Sequence, residues 1–200
     1  DEFCRRNNLD SARPIVAFLP GSRIKELQRM LPPMVDAIAQ LRTLRPEIQS
    51  IVVVAPSRTV AEVREISSSD VKLIEQQTRE ALGASDAAAI ASGTATLEAA
   101  LLGTPMVVVY KESPINWHTL GRLITAPHFG LVNLVAGREI AKELMQDDLT
   151  SENVVKELIK LLDPETNKTT REQLREVAHR LGEPGASQRA AEVIIKFLTG

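Results

Sequence analysis

The stretch PIVAFLPGSRIKELQR, residues 14–29, joins an unbroken apolar run to a helix-like pattern through a short turn. An apolar run without polar alternation is typical of a strand that is buried on both faces, as in a parallel sheet. The apolar residues after the turn recur at spacings of three and four, which indicates an amphipathic helix. The stretch therefore predicts a strand, a tight turn and a helix, the first unit of an α/β fold.

The same alternation of strand-like and helix-like patterns continues along the chain. The further strand-like runs are residues 50–56, 71–75, 87–92 and 105–111, and shorter helical patterns lie at 59–66 and 94–102. Strands that alternate with helices predict βαβ units, so we expect one doubly wound parallel sheet of five to seven strands. Within the first helical pattern, Pro32 and Pro33 predict two helical pieces or a kink.

The last quarter of the chain has a different pattern. Three helical patterns, at residues 151–162, 169–181 and 186–198, follow one another without a strand, and the segments DPETN (163–167) and LGEPGAS (181–187) read as turns,. We therefore expect three parts in this chain. They are a linker or extension at 1–13, an α/β domain at 14–150 and a helical tail at 151–200 packed on that domain.

The composition bounds the class of protein and its partners. The 200 residues carry a net charge of −2, so we expect no nucleic-acid partner,. The single cysteine, Cys4, excludes a disulfide within the chain and a cysteine metal site,. The first residues contain no apolar segment of a signal peptide, and no apolar run approaches the roughly 20 residues of a membrane-spanning helix. We therefore expect a soluble, cytoplasmic protein.

The turn after the first strand is the first candidate site, because ligands of open parallel sheets bind beyond the carboxyl ends of strands. Gly21 allows close approach of the backbone, Ser22 offers a hydroxyl, and the helix start offers unpaired N–H groups. Arg23 adds a planar fork suited to phosphate oxygens. These features favour an anion, although the same residue types are also ordinary turn and surface residues, the more frequent case for this stretch alone.

A second candidate turn, Ser92-Gly93-Thr94, follows the strand-like run at 87–92 and opens a second helix, which Thr94 can cap,. Glu98 lies four residues beyond Thr94, on the same helix face. A carboxylate there can accept two hydrogen bonds from the vicinal hydroxyls of a ribose, or it can merely complement the helix dipole. Two helix starts, one with an arginine and one with a glutamate, suit a nucleoside diphosphate.

Other sequence patterns bear on the kind of ligand and on whether a metal or cofactor is bound. The segment 130–148 carries Asn133 and Gln146, whose amides can read a base edge or a sugar, but periodicity does not separate that role from a solvated helix face,. The chain has no GxGxxG, no GxxxxGK[ST] and no DxD, and its three histidines are far apart,. We therefore expect no metal ion and no cofactor.

Four segments in this order and spacing resemble lipid-A-disaccharide synthase, a glycosyltransferase family of Gram-negative bacteria. They are LPGSRIKEL (19–27), ASGTATLEAALLGTPMVVVYK (91–111), LVNLVAGREIAKELMQDD (131–148) and GEPGASQRAAEVI (182–194). The resemblance covers about residues 14–198. It implies the C-terminal half of a two-domain GT-B glycosyltransferase, with a Rossmann-like doubly wound parallel sheet and a helical C-terminal tail.

The resemblance also implies an activity and partners. The donor would be UDP-2,3-diacylglucosamine and the acceptor lipid X, 2,3-diacylglucosamine 1-phosphate, with transfer by inversion and without a metal. An N-terminal Rossmann-like half, absent from this chain, would supply the catalytic base, so we expect this half to be inactive alone. Because the substrates are lipids, peripheral contact with the inner membrane is expected of the whole enzyme. Association as a homodimer stays open.

The resemblance assigns roles position by position. Two turns would hold the diphosphate, Glu98 would hold the ribose, and Arg23 would stabilise the leaving group. The nucleotide-binding residues implied are Gly21, Ser22, Arg23, Ser92, Gly93, Thr94, Glu98, Asn133 and Gln146. Two alternatives remain: another UDP-sugar enzyme of this architecture, such as a MurG-like transferase or a UDP-GlcNAc 2-epimerase, or a nucleotide-sensing or scaffolding domain without turnover.

Overall fold

The computed structural model describes residues 2–67, 70–113, 117, 127–182 and 185–199. Its strands are β1 (Ile15–Leu19), β2 (Gln49–Val54), β3 (Lys72–Glu75), β4 (Ala87–Ala91), β5 (Met106–Tyr110) and β6 (Glu143–Met145). Its α-helices are α1 (Glu2–Arg6), α2 (Ile24–Leu44), α3 (Val60–Ser67), α4 (Thr78–Gly83), α5 (Ala95–Leu102), α6 (Leu131–Ala136), α7 (Ser151–Leu161), α8 (Pro164–Leu181) and α9 (Ala186–Thr199).

The six strands form one parallel sheet in the order β3-β2-β1-β4-β5-β6. The chain leaves β1 toward one edge through β2 and β3, then returns to the other side of β1 and continues through β4 to β6. The strand order thus reverses between β1 and β4, which is the topological switch point of a doubly wound fold.

Helices cover both faces of the sheet, which explains the unbroken apolar runs of the strands. Every residue of β1 and β4 is buried. Val16 and Phe18 pack in a core cluster with residues of α2, α3 and α7. Ile15, Ala17 and Leu19 point to the other face and pack in a second cluster with residues of α1, α4, α5, α6 and α8. The predicted α/β class is therefore confirmed.

Helix α2 corrects the expectation of a break at the two prolines, because it runs unbroken from Ile24 to Leu44 with Pro32 and Pro33 inside it. Each proline removes a backbone donor, which costs stability in a helix interior. The apolar face of α2 compensates for this loss by burial, since it inserts eight residues into the core. These are Leu27, Met30, Leu31, Met34, Val35, Ala37, Ile38 and Leu41.

The C-terminal helices differ in how they pack. Helices α7 and α8 lie on the sheet domain, and α8 starts at Pro164, earlier than expected, because Asp163 caps it by accepting from Thr166 N–H at 3.0 Å. The segment read as a turn at 163–167 is therefore the first turn of this helix. By contrast, α9 exposes large apolar side chains, including Val193 (68 % exposed) and Phe197 (88 % exposed).

Residues 1–13, expected as a linker or extension, contain the short helix α1. Its Phe3 and Cys4 are buried in the second core cluster. The start of the described chain therefore packs on the sheet domain through apolar side chains.

Candidate functional site

The turns after β1 and β4 lie side by side at the carboxyl edge of the sheet. Strands β1 and β4 are hydrogen-bonded neighbours, with Leu19 opposite Ile90, so the residues that follow each strand emerge next to one another. This position is the switch point at which ligands of open α/β sheets bind. The fold therefore brings the two turns singled out in the sequence into one place.

A cleft of about 650 Å³ opens between these turns, in the size range of small-molecule sites,. The predicted site residues that line it are Gly21, Ser22, Arg23, Ser92, Gly93, Thr94 and Glu98. The lining also includes the apolar residues Leu19, Ala91 and Leu131. Arg79, from α4, adds a second cation to the lining.

The first turn is built around a left-handed glycine. Gly21 has φ +106°, and a Cβ at this position would lie 2.8 Å from Glu26 Oε2, so only glycine fits without displacing that carboxylate,. Arg23 is the N-cap residue of α2, and its guanidinium donates to Glu26 Oε1 at 2.6 Å. This hydrogen bond is the main cause that raises the pKa of Arg23. The guanidinium of Arg23 is therefore paired with a carboxylate of its own turn.

The second turn leaves two groups open toward the cleft. Thr94 is exposed and does not cap α5 with its side chain, which corrects the expected role. Its backbone is already helical, so its hydroxyl is not directed at the first N–H groups of α5,. Instead, the hydroxyl of Thr96 donates to the carbonyl of Gly93 at 2.8 Å. A Cβ at Gly93 would meet no atom within 4 Å, so this position borders open space.

Ser92, in the second turn, and Glu98, in the helix that follows it, also line the cleft. The hydroxyl of Ser92 donates to the carbonyl of Phe129 at 2.7 Å, which ties the turn to the segment that leads into α6. Glu98 lies in the first turn of α5, is exposed and lines the cleft. Its carboxylate therefore lies in the same cleft as Arg23, in the first turn of the helix that follows the second turn.

Asn133 was predicted as a nucleotide-binding residue, but it does not line the cleft. Its side chain is fully buried, and its amide nitrogen donates to the Ala141 carbonyl at 2.8 Å and to Glu143 Oε1 at 2.7 Å. Its amide oxygen accepts from the N–H groups of Ile140 and Ala141 at 2.9 and 3.0 Å. All four hydrogen-bonding positions of the amide are used inside the protein, so Asn133 acts as a scaffold residue.

Gln146, the other polar residue predicted in this region, also lies outside the lining of the cleft. It follows β6 with φ +52°, and its side-chain oxygen accepts from Glu112 N–H at 3.3 Å. Glu112 in turn pairs with Arg29 of α2 and accepts from the Tyr110 hydroxyl at 3.2 Å. The hydrogen bond from Ser113 N–H is the main cause that lowers the pKa of Glu112, and Arg29 adds to it.

Two glutamates that hold segments beside the cleft were missed from the sequence. Glu26 lines the cleft and holds Arg23, and the only signal for it was an acidic residue three positions after the N-cap,. Glu143 accepts from the N–H groups of Phe129 and Gly130, both at 2.9 Å, and thereby fixes the start of α6 beside the cleft. No sequence pattern marks it, because its partners lie 13 and 14 residues away.

The described residues contain neither a cluster of metal-binding side chains nor a helix that could cross a membrane. Within residues 2–67, 70–113, 117, 127–182 and 185–199, no three acidic, cysteine or histidine side chains come together in a way that could hold a metal ion. In the same part of the chain, none of the helices combines the length and the apolar character needed to span a bilayer.

The fold defines the class of protein. The structure resembles the calicheamicin glycosyltransferase CalG4 with a TM-score of 0.60 and 15 % identity, over 94 % of this chain and 44 % of that one. It also resembles UDP-GlcNAc 2-epimerase from Neisseria meningitidis bound to UDP-GlcNAc, with a TM-score of 0.62 and 16 % identity, over 94 % and 46 %. The chain therefore has the fold of one half of a GT-B glycosyltransferase.

Sequence relationships identify the family. The family model described as lipid-A-disaccharide synthetase matches residues 1–197. The lipid-A-disaccharide synthase of Anaeromyxobacter dehalogenans (strain 2CP-C) is 43 % identical over 192 residues, 94 % of this chain and 50 % of the relative. That of Myxococcus xanthus (strain DK1622) is 41 % identical over 201 residues, 98 % and 52 %. The chain belongs to the lipid-A-disaccharide synthetase family, and it spans about half the length of the curated relatives it matches.

Proposed function

We propose that this chain is the donor-binding half of a lipid-A-disaccharide synthase. The reaction transfers 2,3-diacylglucosamine from UDP-2,3-diacylglucosamine to lipid X and gives the β-1,6-linked disaccharide 1-phosphate and UDP. The observation that carries the proposal is the cleft between the turns after β1 and β4, which gathers Arg23 and Glu98 around one space of about 650 Å³. Membership of the family supports the choice of substrates, and the epimerase bound to UDP-GlcNAc supports a UDP-sugar.

The cleft has complementary ends for the two parts of a nucleoside diphosphate. The diphosphate lies between the starts of α2 and α5, where backbone N–H groups and helix dipoles favour negative charge. The Arg23 side chain is 81 % exposed, so it can turn from its present partner toward a phosphate oxygen. Glu98 then accepts hydrogen bonds from the two ribose hydroxyls. Asn133 and Gln146 support the site through the scaffold rather than by contact.

The proposed chemistry follows from where charge develops. The 6-hydroxyl of the acceptor attacks the anomeric carbon of the donor sugar from the face opposite to UDP. The bond between that carbon and the β-phosphate oxygen breaks, and the hydroxyl proton passes to a base in the N-terminal half of the enzyme. UDP leaves with added negative charge, which Arg23 and the two helix starts stabilise without a metal ion. Such preorganised electrostatics is often the largest catalytic contribution.

The proposal is tested with the protein in the form that its gene encodes. Incubation with UDP-2,3-diacylglucosamine and lipid X should give the disaccharide 1-phosphate and UDP, detected by mass spectrometry, and Glu98→Gln should reduce the yield. The 200-residue chain alone should give no product. The epimerase neighbour favours one second candidate, so the same protein is also incubated with UDP-GlcNAc. Epimerisation of UDP-GlcNAc without disaccharide formation would replace the proposal with that activity.

A further inference from the structure

Glu26, in the first turn of α2, already holds the donors that the proposed function assigns to the diphosphate. Its Oε2 accepts from the backbone N–H groups of Ser22 at 3.3 Å and Arg23 at 3.2 Å. Its Oε1 accepts from the Arg23 guanidinium at 2.6 Å. The Glu26 side chain is only 17 % exposed, whereas that of Arg23 is 81 % exposed. The carboxylate therefore lies inside the turn, between the backbone and the arginine.

The glycine of this turn makes room for the carboxylate. A Cβ on Gly21 would lie 2.8 Å from Glu26 Oε2 and 3.1 Å from Glu26 Cβ. Gly21, Ser22, Arg23 and Glu26 all line the same cleft. The anion that the turn accommodates in this structure is therefore the protein's own carboxylate, bound by two backbone N–H groups and one guanidinium.

We propose that Glu26 occupies the place of a donor phosphate in the unliganded protein and must give way when the nucleotide binds. This inference rests on the proposed function, because it takes the diphosphate as the ligand of the first turn. A phosphate oxygen and the Glu26 carboxylate cannot accept from the same two N–H groups, and two like charges repel each other at this range. When the nucleotide binds, Arg23 therefore breaks its ion pair with Glu26 and forms one with the phosphate.

The exchange has a consequence for the end of the reaction. When UDP leaves, Glu26 re-forms its three hydrogen bonds, one of them to Arg23. The donors that bound the phosphate are therefore not left without partners, and this lowers the free-energy cost of releasing UDP. The carboxylate thus lowers the affinity for UDP and favours product release. Glu26 is a positioning residue in this account, because it acts through Arg23 and touches no reacting atom.

An ordinary capping role for Glu26 predicts a different result. A glutamate or glutamine three residues after the N-cap commonly stabilises a helix start by accepting from the N-cap N–H group. If Glu26 only supported the turn, glutamine would support it as well, and the affinity for UDP would stay unchanged. A gain in UDP affinity on loss of the charge therefore separates the two roles.

The test is Glu26→Gln in the gene-encoded protein, titrated calorimetrically with UDP and with uridine. Glutamine keeps the size of the side chain and can still accept from the N-cap, so the turn is retained. The matched control is Glu80→Gln, which removes one negative charge from an exposed residue on the rim of the same cleft. We expect Glu26→Gln to bind UDP about tenfold more tightly, about 1.4 kcal/mol, with uridine affinity unchanged and the control within about twofold of wild type.

Unchanged or weaker UDP binding by Glu26→Gln would overturn the inference. An equal gain in Glu80→Gln would overturn it as well, because the effect would then come from the general field of the cleft. Failure of the proposed function gives a different result: wild-type protein would not bind UDP, or Glu98→Gln would leave the affinities for UDP and uridine unchanged.

Discussion

Arg23 owes its position to three features of its own turn. Gly21 lets the backbone turn with positive φ, Glu26 holds the guanidinium, and Arg23 itself is the N-cap residue of α2. The sequence marked Arg23 as one cation among 24 lysines and arginines, and only the neighbouring glycine and serine set it apart. The structure adds that its charge stands at the mouth of the cleft.

Replacement of Arg23 tests the leaving-group role. We expect Arg23→Ala in the gene-encoded protein to lower kcat for disaccharide formation by about 10²–10³-fold, the usual cost of losing one preorganised donor to a developing negative charge. Lys25→Ala is the matched control, because Lys25 is exposed in the same helical turn and does not line the cleft. Steady-state turnover of Arg23→Ala within about twofold of the Lys25→Ala control would contradict the role.

Asn133 shows why the role of a single polar residue is hard to predict from sequence. An amide in an otherwise apolar segment looks the same in sequence whether it meets a ligand or holds the backbone, and here its four hydrogen bonds stay inside the protein. Its partners are set by the turn between α6 and β6, and no periodicity reveals that turn. For Gln146 the role in nucleotide binding stays a prediction, and the structure adds its hydrogen bond from Glu112, which lies 34 residues away.

Removal of the Asn133 amide should therefore affect stability first. We expect Asn133→Ala to lower the free energy of unfolding by about 2 kcal/mol, because it leaves buried N–H and carbonyl groups without partners. Asn153→Ala is the control, since Asn153 donates from a partly exposed position to the Asp148 carbonyl at 2.9 Å. Urea unfolding measures both. An unchanged free energy together with weaker UDP binding would restore the contact role predicted from the sequence.

At the scale of elements, the burial of a strand or helix decided whether its sequence pattern predicted it. Strands β1, β2, β4 and β5 are apolar runs because helices cover both faces, and each was predicted within two residues of its observed bounds. Strand β6 was not singled out, since its three residues alternate between half-buried and buried at the sheet edge. Of the two outcomes predicted for Pro32 and Pro33, the division into two helical pieces was wrong, because burial of the apolar face of α2 outweighs the missing backbone donors.

The N-cap of α8 gives a pH-dependent prediction at this scale. Hydrogen bonds from the backbone N–H of Thr166, and then from its hydroxyl, lower the pKa of Asp163 from its ordinary value of 3.8. Because the pKa is lower in the folded state, the stabilisation is present above pH 3.8 and is lost as the pH falls through the lower folded value,. Asp163→Asn keeps a capping oxygen but does not titrate.

Urea unfolding at about pH 6 and about pH 3 tests this linkage. We expect wild-type protein to be more stable than Asp163→Asn at the higher pH and the difference to shrink at the lower one. Glu172→Gln, an exposed change in the middle of α8, controls for loss of one negative charge. A difference between wild type and Asp163→Asn that stays constant between the two pH values would show that the charge of Asp163 does not stabilise the cap.

At the scale of the whole molecule, the strand order explains why two distant turns form one site. Gly21 and Gly93 are 72 positions apart in sequence, yet they border the same cleft because β1 and β4 are neighbours. Strand patterns predict a doubly wound sheet but not its order, so the sequence suggested from residue chemistry that the two turns share a ligand, and the strand order of the structure places them side by side. The contact between Glu26 and Arg23 lay beyond both kinds of reasoning, because it depends on side-chain conformation.

The central claim is that this cleft holds the UDP part of a sugar donor. The most direct measurement is an equilibrium titration of the gene-encoded protein with UDP, ADP and GDP, repeated with Glu98→Gln. We predict UDP binding that is at least about tenfold tighter than that of ADP or GDP, and a loss of about tenfold in Glu98→Gln, because the ribose loses hydrogen bonds to a charged group. Equal binding of the three nucleotides, or UDP binding that Glu98→Gln leaves unchanged, would contradict the account.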